Sequence, residues 1–223
     1  MRGSDNPRRH LVLLISLLVI FIVSPFVVPY YYGPTFLNII AAGVLLSATY
    51  AVSERRSFLI FGLSLSIFSI ITTFWLAASP TFWLVIISHG SLVILISFFA
   101  VVILGHVLRS GKVTSDKIYG AICVYFLFGY AWAFAYSLIE EVQPESFTSL
   151  TSVDPHDLVS RVMQMRYFSF VTLASVGYGD IVPHTQTART MAVLEAILGQ
   201  FYLVALIGRL VGLHVVHGGD RRE

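Results

Sequence analysis

A short polar segment, 172–180, lies between two hydrophobic stretches in the second half of the chain, and its residue types could bind a cation. Gly177 and Gly179 flank a tyrosine, and glycine adopts positive φ without a side-chain clash. Such a backbone can turn several successive carbonyl oxygens toward one axis, where they replace the water around a dehydrated ion. Val176 and Tyr178 can then turn their side chains outward and brace the loop. The segment therefore predicts an ion filter built from main-chain oxygen atoms.

The composition places this segment in a membrane protein. Of 223 residues, 57% are hydrophobic and 12% are charged, and the mean hydropathy is +0.82. This leaves too little polar surface to cover a soluble globule of that size. A helix needs about 20 apolar residues to cross the ~30 Å hydrocarbon core, so the chain has room for about six crossings and one re-entrant loop. The net charge of +2 is small, and we expect no nucleic acid partner.

Six apolar stretches are long enough to cross the membrane, and charge sets their orientation. They are 11–30, 35–52, 58–77, 82–108, 118–139 and 188–216. Basic residues lie at both termini and in the turns after the second and fourth stretches, whereas the other face is acidic and aromatic. The positive-inside rule places the basic face in the cytoplasm. We therefore expect a multi-pass protein of the cell membrane, of a prokaryotic inner-membrane type, with the N- and C-termini cytoplasmic and the filter entering from outside.

The first stretch has a second interpretation. Arg8 and Arg9 precede it, as basic residues precede a cleaved secretory or twin-arginine signal. The sequence after it lacks a small-x-small cleavage site and continues through Ser24 and Pro25 into a run of tyrosines. Aromatic residues of this kind are typical of a membrane interface, which favours a membrane anchor.

The filter segment resembles that of a known family. The run Ser175, Val176, Gly177, Tyr178, Gly179 is similar to the Thr-Val-Gly-Tyr-Gly filter of potassium channels, with serine in place of threonine. The resemblance covers roughly 119–216. It implies that K+ is the permeant ion, coordinated by the backbone of these five residues and by the Ser175 hydroxyl. One chain supplies one copy of the filter, so the resemblance also implies a homotetramer, embedded in membrane lipid, with a closed ring of four copies.

The residues before the filter predict a pore helix. The start of a helix is indicated by Asp154, Pro155 and Asp157. A carboxylate can cap the helix at Asp154, proline is favoured in the first turn, and a second acid follows. The helix should run to about Ala174, where the backbone must leave helical geometry. Irregular backbone at membrane depth requires enclosure by other helices, so we expect the filter to be surrounded by protein.

Several further residues are expected to support the filter. The resemblance implies that Tyr167 and Phe168 pack around Tyr178 as an aromatic cuff, although membrane-interface aromatics are an alternative interpretation. Thr172 and Asp180, at the two ends of the segment, complete the predicted support. Asp180 matches the acid that commonly follows the filter in that family.

Glu195 lies within the last apolar stretch, where an ionisable group needs a partner or water. We expect it behind the filter, hydrogen-bonded to the pore helix at Thr172 or Tyr167, where it would tune filter stability. The alternative is a position near the outer interface, paired with Arg189 or Arg166.

Gly199 follows Glu195 on the same stretch, at the spacing where the resembled family has a hinge glycine. A hinge there would let the inner helix splay at its cytoplasmic end. A glycine that packs closely against a neighbouring helix explains the residue equally well.

The sequence predicts an all-α membrane protein with two domains. Residues 1–110 would form four transmembrane helices, and 111–223 a pore domain of outer helix, pore helix, filter, inner helix and short cytoplasmic tail. The fourth stretch has no arginine or lysine between 81 and 108, so we expect no steep voltage gating. Small residues on the third stretch, at 62, 64, 66 and 69, are suited to close packing. His89 and His106 are expected to be packed or interfacial residues rather than pH sensors.

A passive potassium-selective channel is thus the leading functional interpretation, and two alternatives stay open. One is a potassium transporter subunit with pore loops, although such transporters usually carry four divergent copies of the loop in one chain. The other is a nonconducting regulatory membrane protein with a relict pore loop. We expect no enzyme and no small-molecule substrate, because the sequence has no His-Glu pair, Ser-His-Asp set or phosphate-cradling loop.

Overall fold

The computed structural model describes residues 9–28, 30, 32–52, 56–109, 114–149 and 157–219, with side chains up to residue 209 except 207. The elements are α1 (Arg9–Val27), α2 (Gly33–Ala51), α3 (Arg56–Ala78), α4 (Phe82–Val107), α5 (Ser115–Val142), β1 (Phe147–Ser149), α6 (Leu158–Leu173), β2 (Ile181–Pro183) and α7 (Gln186–Gly219). All the helices except α6 are long and apolar enough to span a membrane. The prediction of an all-α membrane protein with six spans is therefore confirmed.

Hydroxyl pairs join the first four helices in sequence. Each pair links one helix to the next, and the oxygen atoms lie 2.8–3.2 Å apart. The pairs are Ser16 with Ser47, Thr49 with Ser66, Ser69 with Ser91, and Thr73 with Ser88. Small hydroxyl residues allow close approach of helices in a bilayer and satisfy one another there. The predicted small-residue surface on α3 is thus present, except that Ser64 is exposed and bonds to the carbonyl of Phe61 in its own helix.

The front helices share a core with the pore half of the chain. Helices α1 and α4 both pack against α5, and the buried side chains between them include Phe99, Cys123 and Val124. Gly120 lets α5 approach α4, because a Cβ there would lie 3.0 Å from Val107. The predicted boundary between two domains, at 110/111, lies outside the described residues, and the division into two domains stays a prediction.

The segment from α5 to α7 folds back on itself and holds the predicted filter between α6 and α7, with residues 174–179 exposed in the single chain. β1 and β2 pair antiparallel, with Phe147 opposite Pro183, and tie the end of α5 to the residues after the filter. This ribbon was not predicted. The pore helix is α6, and it ends at Leu173 as expected. Its predicted start at 154–155 lies outside the described residues, but the N-cap is Asp157, which accepts hydrogen bonds from the backbone of Val159 and Ser160 at 3.1 Å.

Candidate functional site

The backbone of the filter segment alternates in handedness. Positive φ recurs at every second residue, at Ser175 (55°), Gly177 (60°) and Gly179 (80°), while Val176 and Tyr178 have no positive φ. Alternation of left- and right-handed conformations aligns successive peptide N–H groups on one side of the chain and therefore the carbonyl oxygens on the other. The positive φ at both glycines is as the sequence predicted, and such a backbone can present a row of main-chain acceptors to a cation; the ion filter stays a prediction.

The C-terminus of α6 leads directly into this row. Backbone hydrogen bonds from Ser175 to Thr172 (2.9 Å) and from Val176 to Val171 (2.9 Å) fix the first filter residues onto the last turn of the helix. Thr172 thus supports the filter through its carbonyl oxygen. The carboxyl end of a helix carries roughly half a negative elementary charge, so α6 favours a cation at the inner end of the filter.

Gln200 is a site residue that the sequence analysis missed. Its Nε2 donates a hydrogen bond to the hydroxyl of Ser175, with 2.8 Å between the heavy atoms. Gln200 lies on α7 directly after Gly199, and an amide side chain in the apolar stretch that follows Glu195 could have indicated a polar partner. The hydroxyl predicted to be the innermost ion ligand is therefore oriented by the inner helix.

The outer end of the filter is held by Tyr167 and Asp180. The rings of Tyr167 and Tyr178 are stacked, with centroids 6.4 Å apart and planes 6° apart. The Tyr167 hydroxyl donates to Asp180 Oδ2 at 2.7 Å, and the backbone N–H of Ile181 donates to Oδ1 at 3.1 Å. The bond from Tyr167 is the main reason that the pKa of the Asp180 carboxyl lies below its usual range. Tyr167 therefore stacks on Tyr178, and Asp180 is linked to that ring pair through the Tyr167 hydroxyl; the support of a filter by these two residues stays a prediction.

Phe168 occupies a different place from the one predicted. It is buried, and its ring lies 5.1 Å from that of Tyr136 and 5.2 Å from that of Phe147. These residues form a second core with Met165 behind the pore helix. Phe168 therefore packs α6 against α5 and β1 rather than stacking on Tyr178.

Glu195 is fully buried at the junction of α5, α6 and α7. Its Oε2 accepts a hydrogen bond from the hydroxyl of Tyr136, and its Oε1 lies within hydrogen-bond distance of Ser169 Oγ, both at 2.5 Å. Glu195 lies against the pore helix, as expected. The expected partners Thr172 and Tyr167 are wrong, because Glu195 contacts Tyr136 and Ser169 instead. The alternative pairing with Arg189 or Arg166 is also wrong, because the Nε of Arg189 donates to the carbonyl of Pro183 and the guanidinium of Arg166 lies over the ring of Phe21, 5.4 Å from its centroid.

Gly199 lies where α7 crosses the end of the pore helix. A Cβ at this position would lie 2.5 Å from the carbonyl oxygen of Leu173 and 2.9 Å from its side chain. Helix α7 continues through Gly199 without interruption. The structure thus requires glycine here for close packing, and the hinge role stays a prediction.

Two comparisons with known proteins bear on this arrangement. Residues 122–213 match the family model described as "Ion channel". The chain is also similar to two-pore potassium channel 4 of Arabidopsis thaliana, with 44% identity over 50 residues. That match covers 22% of this chain and 17% of the plant protein.

Proposed function

We propose, from the match of residues 122–213 to the ion channel family model, that the chain forms a passive potassium-selective channel in which four copies surround one axis. The observation that carries the proposal is the alternation of positive φ at Ser175, Gly177 and Gly179. This backbone offers carbonyl oxygens, the ligands that replace the hydration shell of K+. The similarity to a plant potassium channel supports the choice of ion.

Exposure of the pore elements supports an assembly of several chains. Tyr178 is 70% exposed in the single chain, and Phe201 on the inner helix is 69% exposed. Only 17% of the membrane-spanning part of α7 is buried, compared with 50% of α4. A single row of carbonyls cannot surround an ion, so neighbouring copies must cover these surfaces and complete the ring. A cyclic arrangement closes such a head-to-tail contact.

The front helices offer no charges for a steep response to voltage. Helix α4, the fourth span, contains no arginine or lysine between Phe82 and Val107. One elementary charge that crosses the membrane field contributes about 2.3 kcal/mol per 100 mV, and an uncharged helix contributes none of it. We infer that the four front helices are a scaffold for the pore, joined by their hydroxyl pairs and by their packing on α5.

A flux experiment tests the proposal. Purified protein in liposomes should conduct K+ in preference to Na+, with block by barium. Gly177→Ala should reduce the flux, because an L side chain at a φ of 60° costs about 1 kcal/mol more than glycine. Gly43→Ala is the matched control, since a Cβ on this helical glycine meets nothing within 4 Å.

Each outcome separates the candidate functions. A passive K+ current that follows the gradient, with a flat dependence on voltage, supports the channel. Uptake that requires a coupled ion gradient would favour the transporter subunit. Absence of any flux from correctly folded protein would leave the nonconducting regulatory protein.

A further inference from the structure

A cluster of histidine and aspartate side chains lies at the opposite end of α5 from the filter. His10 comes from α1, His106 from the end of α4, and Asp116 from the first turn of α5. Asp116 Oδ2 lies 2.8 Å from His10 Nδ1 and 3.6 Å from His106 Nε2. Each of the three residues offers one possible ligand atom, an imidazole nitrogen or a carboxylate oxygen, and these three atoms lie within 4.8 Å of one another. Three helices that are distant in sequence thus bring two imidazoles and a carboxylate together.

These distances approach those of a metal coordination sphere. Zinc binds imidazole nitrogen and carboxylate oxygen at about 2.0–2.2 Å in a tetrahedral arrangement, so neighbouring ligand atoms are about 3.3 Å apart. The two separations from Asp116 Oδ2, 2.8 and 3.6 Å, lie on either side of that value. All three ligand atoms lie within 4.8 Å of one another, so the two histidine nitrogens have at most about 1.5 Å to close around an ion.

The surroundings are those of a partly enclosed site. The side chains of His10, Asp116 and His106 are 5%, 17% and 19% exposed. The second carboxylate oxygen of Asp116, Oδ1, is buried and has no hydrogen-bond partner among the described residues. A cavity of about 280 Å³ is lined by both histidines. The cavity leaves room for a water molecule as a fourth ligand, the composition of zinc sites that have three protein ligands.

We propose that His10, His106 and Asp116 bind a divalent transition-metal ion of the Zn2+ type and that this ion fastens α1 and α4 to the outer helix α5. Two imidazoles and one carboxylate suit Zn2+, Ni2+ or Co2+, whereas Mg2+ and Ca2+ prefer sites made of oxygen. The site does not depend on the proposed function. Asp116 precedes Tyr136, the partner of Glu195, by 20 helical residues, which is about 30 Å along α5.

The site lies beside a contact with the inner helix. Arg209 on α7 donates a hydrogen bond from Nη2 to the carbonyl of Arg109, just after α4, at 2.7 Å. The Nζ of Lys117, next to Asp116, donates to the same oxygen at 3.0 Å. An ion held between α4 and α5 would therefore fix the segment on which the cytoplasmic part of α7 rests.

Metal binding to the purified, full-length protein tests the proposal. After treatment with a chelator, the protein is titrated with ZnCl2 by calorimetry, and thermal unfolding is followed in parallel. We expect one Zn2+ per chain with a dissociation constant in the micromolar range or below, a higher Tm with Zn2+, and no comparable effect of Mg2+. His106→Ala should weaken binding at least tenfold, and Asp116→Asn tenfold to a hundredfold.

Control variants separate loss of the ligand from loss of the fold. His184→Ala changes an exposed histidine after β2 and should leave Zn2+ affinity and stoichiometry unchanged. His106→Gln keeps a polar side chain of similar size, and should fold, lose the Zn2+-induced rise in Tm, and unfold at the Tm of the metal-free parent. Failure of the parent protein to bind Zn2+, or equal affinity in the parent, His106→Gln and Asp116→Asn, would overturn the proposal.

Discussion

The contacts of Glu195 lead to a prediction about its protonation. Ser169 Oγ lies 2.5 Å from Glu195 Oε1 and 2.8 Å from the carbonyl oxygen of Gly129, but a hydroxyl carries one hydrogen. If the Glu195 carboxyl is protonated, it donates to Ser169, and Ser169 is free to donate to Gly129. Tyr136 then donates to the other carboxyl oxygen. Every polar atom of this buried cluster is satisfied, with no unpaired charge in the membrane.

Two substitutions of Glu195 separate shape from charge. Glu195→Gln keeps the shape, and its amide can donate to Ser169 and accept from Tyr136. We expect it to change the free energy of unfolding by less than about 1 kcal/mol, the value of one ordinary hydrogen bond. Glu195→Ala empties a fully buried site and leaves the Tyr136 hydroxyl without its acceptor, whereas Ser169 still donates to the carbonyl of Gly129. An unsatisfied buried group costs about 1–3 kcal/mol and the cavity adds to this, so the loss should be about 3 kcal/mol or more.

The measurement is equilibrium unfolding of the three proteins in one detergent at neutral pH, together with K+ flux in liposomes. Ser137→Ala is the control, because the hydroxyl of Ser137 is also buried on α5 but bonds to the carbonyl of Ala133 in its own helix, at 2.9 Å. It should cost little. If Glu195→Gln destabilises the protein as much as Glu195→Ala, the carboxyl is ionised in the folded protein, and the assignment of a proton to it is wrong.

Two further predictions concern α7 and the outer mouth of the filter. Gly199→Ala should destabilise the protein by about 1–3 kcal/mol, because its Cβ would meet the carbonyl of Leu173 at 2.5 Å. Gly43→Ala is the control and should be neutral or stabilising in the same unfolding assay, since nothing lies within 4 Å of its Cβ. Equal effects of the two substitutions would show that Gly199 is not needed for close packing. The pKa of Asp180 is lower in the folded protein than in the unfolded chain. The carboxylate therefore stabilises the fold fully at a pH above its pKa in the unfolded chain. This stabilisation is lost as the pH falls through its pKa in the folded protein. Tyr167→Phe removes the main cause of the lowered pKa, so the K+ flux should be lost at a higher pH than in the parent protein when the solution is acidified. If the pH at which half of the flux is lost does not change, this prediction is wrong.

The parts of the fold that depend on local pattern were predictable from the sequence. Apolar stretches of sufficient length predicted the six spans, because the thickness of the bilayer sets a minimum length for each helix. Gly177 and Gly179 predicted positive φ, since this backbone conformation excludes most other residue types. The end of the pore helix near Ala174 followed from the filter, which cannot be helical.

The missed features depend on residues that are distant along the chain. Tyr136 and Ser169 lie 59 and 26 residues from Glu195, and no spacing rule joins three different helices. The β1–β2 ribbon has three residues in each strand, too few for a periodic pattern to be recognised. Phe168 could be assigned to the filter or to the core only once the packing of α6 against α5 was known.

The conformation of Ser175 has a consequence for an ion bound at the proposed filter, because this residue links that segment to the inner helix. A β-branched residue at a φ of 55° is an outlier, and serine adopts this conformation with less strain because its Cβ carries only one heavy atom. Its N–H bonds to the carbonyl of Thr172 and its hydroxyl accepts from Gln200 at 2.8 Å, so the end of α6 holds the backbone of this predicted ligand while α7 fixes the orientation of its oxygen. A shift of α7 by about 1 Å takes such a bond beyond the usual range of 2.7–3.2 Å. Because coupling between two sites is reciprocal, an ion that prefers one orientation of the Ser175 hydroxyl must also favour one position of the inner helix.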